Sequence, residues 1–146
     1  LSLRLKREIG NMKSGLKRKR QKIKNKILYI RRGHMYSSFD IAKRIINWCN
    51  GNSIPITNLK LQKLLYFAQG EFFKNQKARL INEDFYAWEL GPVIPRVYSL
   101  YAMFSSTSIP KQTESESFTE EVLNQIEETL MKYARISTWD FGGVNS

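Results

Sequence analysis

The sequence predicts a mainly α-helical domain of about four helices, with one short strand or hairpin ahead of a Gly-Pro turn. Three observations carry that prediction. Apolar residues recur at helical spacing through most of the stretch from 38 to 134. Asn-Gly, Gly-Pro and Ser-rich breaks separate the recurrences. Only residues 84–89 alternate as a strand would. At 146 residues the chain has room for one domain.

The elements follow in order. Ser38 or Asp40 can cap a first helix whose apolar positions are Ile41, Ala42, Ile45, Ile46 and Cys49. Asn50-Gly51-Asn52 ends it, glycine being able to take positive φ. After the linker NSIPI, Thr57 caps the helix NLKLQKLLYFAQGEFFKNQ. There Leu61, Leu64, Leu65, Ala68, Phe72 and Phe73 form the longest clean apolar stripe, which marks a central core helix. Gly70 within it costs about 1 kcal/mol relative to alanine, which points to close packing at that position.

Between Asp84 and Glu89, Phe85, Ala87 and Glu89 fall on one face and Tyr86 and Trp88 on the other, before Gly91-Pro92 breaks the pattern. Val93, Val97, Leu100, Tyr101 and Phe104 resume helical spacing, with Pro95 tolerated in the first turn. Residues 105–117 are polar and read as a loop. Ser117 and Glu120 make a capping box for a last helix with Val122, Leu123, Ile126, Leu130 and Ala134 facing inward. No internal repeat is visible.

Charge divides the chain at Met35. Residues 1–34 hold 13 of the 24 Lys and Arg and one acid, a net +12, whereas residues 35–146 hold 11 basic and 12 acidic residues, a net −1. The expected organisation is therefore a basic tail, 1–34, and a helical domain, 35–146. Three readings of the tail stand. Its block LKRKRQKIKNK attracts phosphate, so Lys17, Arg18, Lys19, Arg20 and Lys22 are the candidate nucleic-acid contacts. Leu16, Ile23, Ile27 and Ile30 could give it an ordered apolar helix face. Alternatively it is a translated leader: RRGHM can be spelled by a purine-rich string like a ribosome-binding site ahead of Met35, and Lys, Asn and Ile use AT-rich codons. The leader reading is preferred, with a disordered tail.

Other chemistry is excluded by composition. No apolar run approaches the roughly 18 residues of a membrane span, and no apolar core follows the early basic residues as in a secretory signal. Cys49 is the only cysteine, so an internal disulfide is impossible and a reducing cytoplasm fits; the residue reads as a small apolar filler. With His34 the only histidine, the usual zinc sites and nucleophile–histidine pairs are excluded. There is no P-loop. No metal, no cofactor and no enzymatic activity are expected. Glu83, Asp84 and Glu89 read as a solvated edge, and Lys60, Lys63 and Arg96 as solvated cations. Tyr66, Phe67, Tyr86 and Trp88 read as core or interface aromatics, because no basic residues interleave with them as in a base-stacking platform.

Two blocks carry a resemblance. The first contains Thr57, Lys60, Leu61, Gln62, Lys63, Leu64, Tyr66, Phe67 and Gln69. The second contains Ala87, Trp88, Gly91, Pro92, Val93, Pro95, Val97 and Tyr98. In that order and spacing they resemble the Panacea domain of SocA-like antitoxins, often prophage-associated, over about residues 36–140. The resemblance implies a mostly helical, non-enzymatic domain that binds a protein toxin encoded nearby, and that can deliver it to a cytoplasmic protease. It does not extend to the tail. The family's further C-terminal helical segment begins here with Ser137, Trp139 and Asp140 and then gives way to GGVNS, so the domain reads as incomplete at its C-terminus, as in a truncated, nonfunctional copy. On this basis the expected partner-binding residues are Lys63, Tyr66, Trp88, Glu89, Pro92 and Arg96. In the structural reading, Gly91-Pro92 turns the chain so that Trp88 and the Val97–Leu100 face pack on the Leu61–Leu65 helix. In the functional one it also presents Trp88, Glu89 and Arg96 to a partner.

Overall fold

The computed structural model of the chain describes residues 34–137, together with Arg7, Lys17 and Arg18. The chain divides into two units, Leu1–His34 and Met35–Ser146, and the second contains the helical fold. Its elements are α1 (Ser38–Gly51), α2 (Asn58–Gln76), β1 (Tyr86–Trp88), β2 (Gly91–Val93), α3 (Pro95–Leu100), a 3-10 turn (Ala102–Phe104) and α4 (Glu120–Tyr133). The architecture is mainly α, as the apolar spacing predicts, with one two-stranded antiparallel hairpin. None of the helices among the described residues is long and apolar enough to cross a membrane.

The central helix is α2, packed against α1, α3, α4 and β2. Thr57 caps it by accepting from the Lys60 amide at 3.3 Å, and Lys77, at φ 56, closes it in the left-handed conformation. Leu61, Leu64, Leu65, Ala68 and Phe72 are buried along it, in a core that also holds Ile41, Ile45 and Ile46 of α1 and Ile126 and Leu130 of α4. Phe73 does not belong to the stripe. It is 56% exposed, because one residue past Phe72 turns it about 100° round the helix. Gly70 is exposed, and a Cβ there would meet nothing within 4 Å; it is no close-packing glycine.

The caps of α1 and α4 differ from the predicted ones by one or two residues. Ser37, extended at φ −61 and ψ 140, caps α1 by accepting from the Phe39 amide. Ser38 is buried inside the helix and donates its hydroxyl to the Glu83 carboxylate. Asp40 sits in the first turn, where a carboxylate complements the positive helix end. Gly51 stays helical, and Ser53 takes the positive φ. Thr119, not Ser117, caps α4 by accepting from the Val122 amide at 3.3 Å. Val122, Ile126, Leu130 and Ala134 are buried as the spacing requires, while Leu123 is half-buried beside Arg44 and Trp48.

The stretch 105–119 is irregular but fastened. Ile109 is fully buried and donates its amide to Ile56 O at 2.8 Å, and the Gln112 amide donates to Asn47 Oδ1 at 2.7 Å. Before the hairpin, Tyr36 forms an isolated parallel bridge with Ile81.

Candidate functional site

Of the apolar spacing from Val93 to Phe104, only part becomes one helix. Val93 pairs with Tyr86, Ala87 with Pro92 and Trp88 with Gly91, so the hairpin turns through Glu89 and Leu90. Gly91 takes φ +119, a conformation L side chains rarely adopt. α3 then starts with Pro95 in its first turn, where the missing amide proton is not needed. It ends after six residues, leaving Leu100 47% exposed.

Polar residues of α2 fix this hairpin and its flanks. Gln62 is fully buried; its Oε1 accepts from the Ile94 amide at 2.9 Å and its Nε2 donates to Asn58 Oδ1. Asn58 in turn donates to Tyr98 O at 2.9 Å. One helix turn beyond Leu65, Gln69 Oε1 accepts from both the Leu80 and Ile81 amides at 2.9 Å, and its Nε2 donates to Ile81 O. Lys63 Nζ donates to Leu90 O at 2.9 Å. Gln62 and Gln69 thus satisfy backbone amides outside the hairpin ladder, whereas Asn58 and Lys63 serve the carbonyl oxygens of Tyr98 and Leu90. The role of Gln62 and Gln69 was not read from the sequence. Its signal was two glutamines seven residues apart on the border of an apolar stripe.

Around the clamped hairpin, apolar surface is open to solvent: Tyr66, Tyr86, Trp88 and Leu90 are 44%, 57%, 44% and 60% exposed. Trp88 rests edge-on against Tyr98, centroids 5.3 Å apart, and Tyr66 likewise against Phe85 at 5.4 Å. Trp88 thus packs on Tyr98 of α3, and α3, with Val97 buried, packs on α2. Of the four aromatics expected in core or interface, none is buried; Phe67 is half-buried and stacks on Tyr133 at 4.3 Å. A cleft of about 550 Å³ opens beside the hairpin tip, between Leu90, Tyr98, Ala102 and the start of α2 at Thr57–Leu59.

The structure thus gathers Lys63, Tyr66, Trp88, Glu89 and Pro92 at or beside the hairpin. Glu89 is exposed in the turn, and Pro92 is half-buried in β2. Arg96 stands apart. It lies about 200° round α3 from Tyr98, ion-pairs with Glu83 at 3.7 Å and covers the Phe39 ring at 5.0 Å. Asp84, paired with Arg79 at 3.0 Å but 77% exposed, and Glu89 form the solvated edge expected, whereas Glu83 is half-buried and engaged by Ser38 and Arg96. In the tail, Lys17 and Arg18 are exposed, and Lys19, Arg20 and Lys22 lie outside the described residues.

Among the described residues, burial shifts Cys49, Lys60, Tyr101 and Tyr133. Burial pushes the Cys49 thiol up from 9.0 to about 11, against the opposing charge of Lys60. It is protonated at neutral pH, which removes its nucleophilic form. Burial also lowers Lys60 and raises Tyr101. Tyr133 is raised by burial and by Glu71, to which its hydroxyl donates. Among the described residues no group of three or more His, Cys, Asp or Glu is placed to hold a metal ion.

Fold and site together define a small helical domain that clamps an aromatic-rich hairpin with polar side chains of its central helix. Residues 61–142 match the family described as antitoxin SocA-like, Panacea domain; the match covers more than half of the chain, which belongs to that family. A curated relative, Antitoxin SocA of Caulobacter vibrioides (strain NA1000 / CB15N), is 37% identical over 84 residues. The aligned stretch is 58% of this chain and 43% of the relative, so the chain spans less than half of that protein's length. No solved structure matches.

Proposed function

We propose that this chain is an antitoxin that works by protein binding: the hairpin and its aromatic surroundings dock on a toxin encoded nearby and mask it. The observation that carries this reading, given the family, is the open apolar surface of Tyr66, Tyr86, Trp88 and Leu90 around one clamped hairpin. Exposed aromatics in a cluster are the residues from which binding hot spots are built. Tyr66, Trp88 and Glu89 are the proposed contacts, Lys63 and Pro92 hold the hairpin in shape, and Arg96 extends the surface from the far flank of α3. The cytoplasm is the proposed compartment, a prophage the proposed origin, and delivery of the toxin to a cytoplasmic protease the proposed extension of the role.

A growth assay tests it. The product of the adjacent gene is expressed with and without this chain. Rescue of growth is the expected result, and arrest despite abundant folded protein overturns the reading. The net +12 of residues 1–34 supports a second reading, a nucleic-acid-binding regulator. Under that reading, deleting 1–34 abolishes a steeply salt-dependent DNA affinity, whereas an antitoxin of the proposed kind keeps its rescue.

A further inference from the structure

We propose that the outer edge of β1, centred on Ala87, accepts an extended strand of the partner protein, adding a third strand to the two-stranded sheet. The proposal rests on the reading of the hairpin as the partner-binding surface and names how that surface is engaged.

The register decides which backbone groups are available. In an antiparallel pair, residues that exchange both hydrogen bonds alternate with residues that exchange none. Pro92 has no amide proton, so Ala87↔Pro92 is the non-bonded pair, and the bonded pairs are Tyr86↔Val93 and Trp88↔Gly91. The amide and carbonyl of Ala87 therefore point away from β2, toward the open edge. Among the described residues nothing pairs with them. All three residues of β1 are exposed, whereas β2 packs against α2, so only the β1 side is open.

Edges of this kind are ordinarily blunted by lysine, proline, a bulge or an inward charge. Phe85, Tyr86, Ala87 and Trp88 include none of these. An unpaired donor and acceptor on extended backbone select another extended backbone. The side chains set the rest of its chemistry. Tyr86 and Trp88 on one face, with Phe85 and Tyr66 on the other, favour apolar or β-branched residues in the middle of the incoming strand. Glu89, exposed at one end, favours a basic residue beside it.

The test uses the full chain and a display library of random peptides of about ten residues, long enough for one strand. Ala87→Pro removes the outward donor without touching a bond to β2, and proline is tolerated on a sheet edge. Ala87→Ser keeps the donor. Recovered peptides are expected to alternate apolar and polar residues, and to lose about tenfold or more in affinity for Ala87→Pro but not for Ala87→Ser. In the unsubstituted chain, the bound peptide is expected to slow hydrogen exchange of the Ala87 amide. That readout stands even if the proline variant fails to fold. Any of four results overturns the proposal: no peptide binds, peptides bind Ala87→Pro as tightly as the parent, the Ala87 amide exchanges equally with and without peptide, or the edge is occupied by a second copy of the chain. No toxin enters this assay, so its failure removes the strand-addition site while the growth assay judges the antitoxin reading separately.

Discussion

The Lys63 ammonium donates to the Leu90 carbonyl oxygen at 2.9 Å, fastening the tip of the hairpin to the second turn of α2. The same ammonium fills the space over Gly91 where a Cβ would stand. Lysine and glycine are thus one device: the bare backbone at 91 makes room for the cation that holds residue 90.

Gly91→Ala should destabilise the domain chiefly through φ +119, at about 1–3 kcal/mol for a residue forced into so sparsely populated a conformation. The Lys63 terminus can move aside, so the steric part is small. Lys63→Met keeps the stem and removes the donor, with an expected loss of about 0.5–1.5 kcal/mol. Urea denaturation measures both, and a Gly91→Ala chain as stable as the parent would reject the first.

Gln62→Leu strands the Ile94 amide in a fully buried site, an unsatisfied donor that costs about 1–3 kcal/mol. Gln69→Leu frees two amides, Leu80 and Ile81. Its signature is local: hydrogen exchange should accelerate at those two positions before the rest of the domain. Uniform protection across residues 78–82 in the variant would contradict the clamp.

Helix existence was legible in the sequence because burial of one face imposes a period, and α2 begins and ends where the stripe and Thr57 place it. Its details were less so. Caps slid to Ser37 and Thr119 because several adjacent serines and threonines can all accept from a first-turn amide, and propensity does not rank them. Val93 was drawn into a strand because Gly91 and Pro92 reverse the chain onto β1, a tertiary event with no period of its own. At the candidate site, the aromatics were visible but their exposure was not. Tyr66 lies six residues before Phe72, about 240° round α2 and off the buried stripe, and whether another element covers that flank is decided by the fold and not by the period. The glutamine clamps carry no charge and no pattern that separates them from solvated residues.

Gly70→Ala should stabilise the chain. The position is helical and exposed, and an added Cβ meets nothing within 4 Å, so only the backbone entropy of glycine is removed, about 0.5–1 kcal/mol. A rise in melting temperature is the expected result. A fall would mean that a close approach does exist there.

Cys49 should leave its mark on the alkaline side. Its folded pKa, about 11, lies above the usual 9.0, so the folded state holds the proton more tightly than the unfolded one. Stability from this group is complete below pH 9.0 and is lost as pH rises toward 11. Tyr101 and Tyr133, also raised, act in the same direction, and Lys60, lowered by burial, acts in the opposite one. Denaturation midpoints across that range should decline less steeply in Cys49→Ala than in the parent. Thiol alkylation at pH 8 should proceed only at the rate at which the core opens.

Trp88 and Arg96 separate two versions of the partner surface. Trp88 is half-open, braced edge-on by Tyr98, and lies on the strand whose edge is free. Arg96 is on the far flank of α3, engaged with Glu83 and Phe39. If the partner docks along the hairpin, Trp88→Ala should lose binding by 2 kcal/mol or about that, the scale of an aromatic hot spot, with little change in melting temperature. Arg96→Ala, paired loosely and in solvent, should then cost less than about 1 kcal/mol in either quantity. The opposite order, with Arg96→Ala abolishing rescue of growth and Trp88→Ala sparing it, would move the interface to the flank of α3 where Arg96 meets Phe39 and Glu83, away from β1.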